Sequence, residues 1–425
     1  MRCDFVLVSH AIKRSKSITQ QSLSFISSHL VVSTITLFVM GNCCQSCCKP
    51  SSSSEPRGGG LKFQLLDDDW ADEIWYDAVQ HHHEHDNHND DDDDDDNHSR
   101  MDRSLLLHDG GEQVYDVTDE ELEILRNTLA EKFPQDSHYM SNAYMRSVAS
   151  KPYSKDMTRR RPLEYSLEKL THVMEWRQQM HAVDLPERIR LCTLSAQEQA
   201  AAGVDEDTLK HAEKMVESLN TGSMYWHGLT KEGRPILWIR TNRKFWYPNV
   251  QAEVDALIVM ADAGIACMPA GVTDFVCISH SYKPPPPHPP FAYQMLRGLV
   301  KGYPDRMHLL VSAPVSSIVE FCMNLLLPIM PGRLAHKFSF YSLEHVQEKL
   351  EHMLWHGKQD IPTFFGGPVN HDEFFPNTEK CPNRGEGSLK FDWYGMIERL
   401  QQQRDAFEKE QQQQKQPESS LPMIT

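Results

Sequence analysis

The chain has 425 residues and a formal net charge of -17, enough for one large domain or two smaller ones. The acidity is local: residues 67–96 hold 15 Asp or Glu and no Lys or Arg, which leaves only -2 on everything else. The folded body therefore lacks the basic surface that nucleic-acid binding needs, and its ten cysteines do not have the spacing of a small secreted disulfide scaffold.

Residues 1–40 are Ser-rich, with Lys13, Arg14 and Lys16 ahead of an apolar run from Leu30 to Met40. A secretory signal would need a small-residue cleavage site that is not evident. A signal anchor over 23–40 is interrupted by Ser, His and Thr but stays open, and an organelle transit peptide fits only the composition. Met40-Gly41-Asn42-Cys43-Cys44-Gln45-Ser46-Cys47-Cys48 reads as a second candidate N-terminus. Initiation at Met40 would expose Gly41 for myristoylation, with Cys43 and Cys44 beside it for palmitoylation. Two acyl chains anchor stably where one does not, so this version is a cytoplasmic protein held peripherally on a membrane surface. The competing reading is a cysteine-rich linker; a zinc site on Cys44 and Cys47 lacks a second cysteine pair. Ser51–Ser54, Gly58–Gly60, the His81–His85 tract and the Asp90–Asp96 run have too little apolar surface to fold, so residues 1–117 read as a targeting segment and disordered linker.

Ordered structure is expected from Thr118, where Thr118-x-x-Glu121 is a capping box before Leu122, Leu125 and Leu129. Apolar spacing predicts further helices near 166–180 and 205–219, so residues 118–222 read as a small helical lobe. The pattern then alternates over 223–370. Strands are expected at 235–241, 273–281, 307–313 and 337–341, and helices at 250–265, 291–302 and 342–355. Strands separated by helices give an α/β class with a mostly parallel sheet. Residues 371–425 read as a largely disordered Gln-rich tail with a weak helix.

One segment stands apart. From Ile318 to Met330 the chain is apolar on nearly every side of a helix, with only Glu320 and Asn324 breaking it. At this length it is too short for a bilayer, which needs about 20 residues. It is either a central core helix or a cover over a cavity for an apolar ligand.

Seven strings in order, from Glu175-Trp176-Arg177 through Tyr225-Trp226-His227-Gly228, Lys231-Glu232-Gly233-Arg234-Pro235, Tyr303-Pro304-Asp305-Arg306-Met307, Ala313-Pro314 and Lys337-Phe338 to Ile361-Pro362-Thr363-Phe364-Phe365-Gly366-Gly367, resemble the CRAL-TRIO lipid-binding family over about 118–370. The resemblance is nearest to the yeast-type phosphatidylinositol/phosphatidylcholine transfer proteins. It implies a small all-helical N-terminal lobe, then a mostly parallel sheet flanked by helices that encloses a hydrophobic lipid pocket. It also implies that 315–330 is the gate, with Ile318, Phe321, Cys322, Leu325, Leu326, Ile329 and Met330 facing the pocket. Asp305 and Lys337 match the acid and the lysine that hold an inositol phosphate headgroup. The family's threonine one turn before that lysine falls on Leu334, and Arg333 is the candidate to compensate.

The expected ligand is thus a phospholipid such as phosphatidylinositol or phosphatidylcholine, with no other cofactor and no metal. A sterol, tocopherol or retinoid type of ligand is an alternative within the same fold. Lys283–Pro290 (KPPPPHPP) departs from the family and reads as a stiff polyproline II spacer or as a docking site for a Pro-recognising protein. The sequence contains no G-x-S-x-G, no phosphate-binding G-x-x-x-x-G-K-[ST] and no H-E-x-x-H, so no enzyme class is supported. A membrane-anchored interaction scaffold that keeps the fold without lipid transfer is the competing class.

Overall fold

The computed structural model describes residues 114–153, 156–244, 249–282, 288–315, 337–376 and 391–415. Outside the described residues lie Gly41, Cys43 and Cys44, the 23–40 run, and residues 283–287 of the proline loop. The segment 316–336 lies outside them as well, and with it Ile318, Phe321, Cys322, Leu325, Leu326, Ile329, Met330 and Arg333.

Helix α1 (Asp119–Lys132) starts where the capping box places it. Thr118 Oγ1 accepts from the Glu121 N–H at 3.2 Å, and the Glu121 carboxylate accepts from the Thr118 N–H at 2.9 Å. Leu122, Leu125 and Leu129 form its buried stripe. Helix α2 (Asn142–Ala149) follows, then a two-stranded antiparallel ribbon of β1 (Pro152–Tyr153) and β2 (Asp156–Arg160). The N-terminal lobe is therefore not wholly helical, a correction to the sequence reading. The β2 string DMTRR has no apolar alternation to announce a strand. Helix α3 (Leu163–Gln179) begins directly after Pro162, whose fixed φ suits a helix start. The short helices α4 (Leu185–Leu191) and α5 (Ala196–Ala201) lead to α6 (Glu206–Asn220), capped by the Asp205 side chain and ended at Gly222, φ +60°.

The main sheet has five strands in the order β3-β4-β5-β6-β7. These are β3 (Met224–Leu229), β4 (Pro235–Arg240), β5 (Phe275–His280), β6 (Met307–Ala313) and β7 (Phe338–Phe340). All pairings are parallel except the β3–β4 hairpin. PILWIR is thus the second strand of the sheet, not the first. Tyr225-Trp226-His227-Gly228, which reads as a lead-in, is the antiparallel edge. Helix α7 (Val250–Ala266) joins β4 to β5, α8 (Pro289–Gly302) joins β5 to β6, and α9 (Leu343–Met353) follows β7.

The two faces of the sheet are closed differently. On one, Trp226 lies under α7: its indole N–H donates to the Met260 carbonyl at 2.6 Å, and its ring fills the space where a Cβ on Gly264 would come within 2.2 Å. On the other, Tyr225, Trp238 and His280 pack beneath the 361–375 loop, against Phe364, Phe365, His371 and Phe375.

The tail is the second correction. Helix α10 (His371–Phe374) is short, but α11 (Trp393–Lys415) is a 23-residue helix. It docks along β3 through Trp393, Met396, Leu400 and Phe407, all buried. That spacing of three, four and seven is a narrow apolar seam, and the surrounding Gln, Glu and Lys hide it in an average over composition. The α11 side chains also serve the open edge of the sheet: Met396 Sδ accepts from the Trp226 N–H at 3.3 Å and Gln403 Oε1 from the Gly228 N–H at 2.9 Å.

Candidate functional site

The turn Tyr303–Arg306 before β6 organises the junction of the two lobes. Arg306 is 2 % exposed and lies over the Tyr144 ring, 3.4 Å from its centroid. It donates to the carbonyls of Thr273 at 3.1 Å and Tyr139 at 3.4 Å. The Tyr144 hydroxyl donates to the Pro304 carbonyl at 2.9 Å. These contacts hold Asp305 in the left-handed region, φ +59°, a conformation that Asp tolerates better than most residues.

Held this way, the Asp305 carboxylate points at cations from other segments. Arg161 Nη1 donates to Oδ2 at 3.3 Å, and Lys169 Nζ lies 3.7 Å from the same oxygen. Lys337, just before β7, donates to the Met307 carbonyl at 2.8 Å and acts on Asp305 through its charge, as does Lys151. Burial by itself would push the Asp305 carboxyl up. The charges of Lys169, Arg161, Lys337 and Lys151 more than offset that and hold it well below the usual carboxylate range. Arg161 is itself 3 % exposed, divides Nη1 between Asp305 and the Val148 carbonyl at 3.2 Å, and leaves its Nε without an acceptor.

The structure therefore brings the sequence candidates Asp305 and Lys337 together. Sequence reasoning missed Arg161, Lys169 and Lys151. The signal was present in Arg159-Arg160-Arg161, but nothing in a basic triplet says which member turns inward. Arg160 turns instead to Glu121 in a half-buried pair.

Two other strings meet nearby in a structural role. Trp176 packs on Tyr303, with ring centroids 5.9 Å apart, and sits where a Cβ on Gly302 would come within 2.1 Å. Arg177 joins Asp136 to Asp262 of α7 with a two-pronged contact to each carboxylate, and the Tyr303 hydroxyl donates to Asp262 at 2.8 Å. The Glu175-Trp176-Arg177 and Tyr303–Arg306 strings thus fasten the helical lobe to the sheet lobe.

A groove of about 410 Å³ runs between α9 and the 358–368 loop, but Glu344, Glu348, Glu351, Gln347 and Lys358 line it. It is not the apolar chamber a lipid chain would need. Among the described residues no helix is long and apolar enough to cross a membrane.

Residues 219–367 match the CRAL/TRIO domain family. No curated protein matches the chain. Among the solved structures that match is the crystal structure of Sfh5, 12 % identical, covering 66 % of this chain and 97 % of its own, with a TM-score of 0.37.

Proposed function

We propose that this chain, whose residues 219–367 match the CRAL/TRIO domain family, takes up a phospholipid such as phosphatidylinositol or phosphatidylcholine and exchanges or presents it between membranes. The observation that supports the headgroup part of this reading is that Arg161 and Lys169 reach the Asp305 carboxylate while the charges of Lys337 and Lys151 act on it. A lipid phosphate beside these cations would accept charge-assisted hydrogen bonds from them. Arg161 offers a planar fork and Lys169 and Lys337 compact point charges, a combination suited to a tetrahedral oxyanion beside sugar hydroxyls. Asp305 keeps the cations in register and can accept from an inositol hydroxyl. Arg333 is assigned to the same site, and Ile318, Phe321, Cys322, Leu325, Leu326, Ile329 and Met330 to the gate over the acyl chains, on the family resemblance.

A two-chain lipid has on the order of 30 CH₂ groups, and at ~0.8 kcal/mol each its release into water would cost ~25 kcal/mol. An apolar pocket removes most of that cost, so transfer becomes an exchange between two oily environments and asks for no nucleophile or metal. Acylation at Gly41, Cys43 and Cys44 would turn long-range transfer into local presentation on one membrane surface.

The test is native mass spectrometry with lipid extraction on the full chain purified from a eukaryotic host. Stoichiometric phosphatidylinositol is expected, with its share falling at least five-fold in Lys337→Ala and in Lys169→Ala. A co-purifying sterol, tocopherol or retinoid would discard the headgroup assignment. A folded protein that stays empty in the presence of liposomes would leave the scaffold reading.

A further inference from the structure

The sheet carries a second concentration of buried cations at its opposite end. Lys337 and Asp305 precede the first residues of β7 and β6, whereas Arg240 is the last residue of β4 and Arg243 lies three residues beyond it. Arg240 is 6 % exposed and Arg243 is 4 % exposed. Both donate to one carboxylate, that of Asp372 in the four-residue helix α10, Arg240 at 3.1 Å and Arg243 more closely. The side chain of Asp372 is 56 % exposed, so two buried guanidiniums share one counter-ion that stands mostly in solvent. Arg243 also donates to the Gly222 and Phe375 carbonyls, and Arg240 stacks on Phe364 with its guanidinium 4.0 Å from the ring centroid.

The aromatic surroundings enclose several polar atoms that are poorly satisfied. Nine buried side-chain N or O atoms lack a hydrogen-bond partner among the described residues, and six lie in this quarter of the molecule. They are Arg240 Nε, His280 Nδ1, His371 Nε2, His227 Nδ1 and two nitrogens of Arg399. Each such atom calls for a water or ion to satisfy it. The imidazoles do not add cations: burial first, then Arg240 and Arg243, lower the pKa of His280 to about 4, and burial, opposed by the Asp360 charge and aided by Arg399, lowers that of His227 to about 4. They remain neutral donors or acceptors beside a net positive charge.

We propose that Arg240 and Arg243 form a second oxyanion site, taking a phosphate dianion in place of the Asp372 carboxylate, whose exposed side chain turns aside while α10 stays docked. A dianion neutralises both guanidiniums where Asp372 neutralises one. Fork-shaped guanidiniums suit phosphate oxygens in this way. The phosphate can be free in solution or be the monoester headgroup of a lipid. The site is independent of the Asp305 cluster and of the lipid reading that rests on it.

The test uses the full chain carrying Lys337→Ala, so that the other cation cluster contributes less, titrated calorimetrically with inorganic phosphate. Asp372→Asn removes the resident carboxylate and should bind phosphate at least ten-fold tighter than the Lys337→Ala parent. Asp372→Glu should match the parent, and adding Arg243→Lys to Asp372→Asn should abolish the gain. If the Asn variant does not fold, Asp372→Ser replaces it with the same expectation. Flotation with phosphatidic acid vesicles then assigns the source: enhanced flotation of Asp372→Asn marks a lipid monoester, and phosphate binding without flotation marks a soluble anion. A folded Asp372→Asn or Asp372→Ser protein with the parent's phosphate affinity, or a gain that survives Arg243→Lys, overturns the proposal.

Discussion

Arg177→Met cuts the joint between the lobes. Arg177 is 2 % exposed and holds Asp136, whose side chain is 4 % exposed, and Asp262 at once. Methionine keeps most of the volume but leaves the Asp136 carboxylate buried without its cation. Breaking a buried ion pair from one side costs about 3–5 kcal/mol, because the remaining charge is uncompensated. That is a large share of the roughly 5–15 kcal/mol that holds a domain folded. At about 2–4 °C per kcal/mol for a body of this size, the melting temperature should drop by roughly 6–20 °C. Urea unfolding followed by tryptophan fluorescence reports the loss. The double variant Asp136→Asn/Arg177→Met separates the causes: if the stranded carboxylate is the main penalty, the double variant recovers more than half of it. A single variant that loses less than about 1 kcal/mol, or a double variant whose loss is the sum of the two singles, would refute this account of the joint.

Three further outcomes follow from the same geometry. Gly302→Ala should destabilise by about 1–3 kcal/mol in denaturant titration, although Ala in a helix is ordinarily favoured by about 1 kcal/mol, because the new methyl meets the Trp176 ring at 2.1 Å. The folded pKa of Asp305 lies below its unfolded value, so its carboxylate stabilises the fold fully above about pH 5 and loses that contribution as pH falls toward the folded value. The stability difference between wild type and Asp305→Asn should therefore be largest near pH 6 and shrink toward pH 2 in urea titrations at fixed pH; a difference independent of pH counts against the ion cluster. Removing residues 391–425 strips Met396 and Gln403 from the β3 edge and should produce oligomers by light scattering, whereas a stable monomer would show that α11 is not what protects the edge.

The elements with strong periodicity were legible before any coordinates. The Thr118–Glu121 cap, the runs that became β4 to β7, and helices α6 to α9 fall within a few residues of where spacing and turn residues put them. What was not legible depends on partners far away in sequence. The edge strand β3 mixes Trp, His and Gly and is a strand because of its register with β4. The seam of α11 is four apolar residues in a polar helix, meaningful only against β3. At the candidate site, Asp305 and Lys337 came from family strings, whereas Arg161 and Lys169 required the three-dimensional path of the β1–β2 ribbon and α3. Conversely, Trp176, Arg177 and the Arg306 of the Tyr303 turn lock the lobes together, a role that a string by itself cannot distinguish from ligand contact.

The reach of α11 also sets an order of events during synthesis. Trp226 leaves the ribosome 170 residues before Met396, the side chain that covers its backbone N–H. At about 5–20 residues per second, the nascent sheet waits roughly 10–30 s with an open hydrogen-bonding edge. Its companions in that interval are the emerging strands β4 to β7, which grow away from the exposed side, and among the described residues the cover of this edge comes from α11. A stop codon ahead of Trp393 leaves that edge open for good, and such a truncated chain should collect in the insoluble fraction.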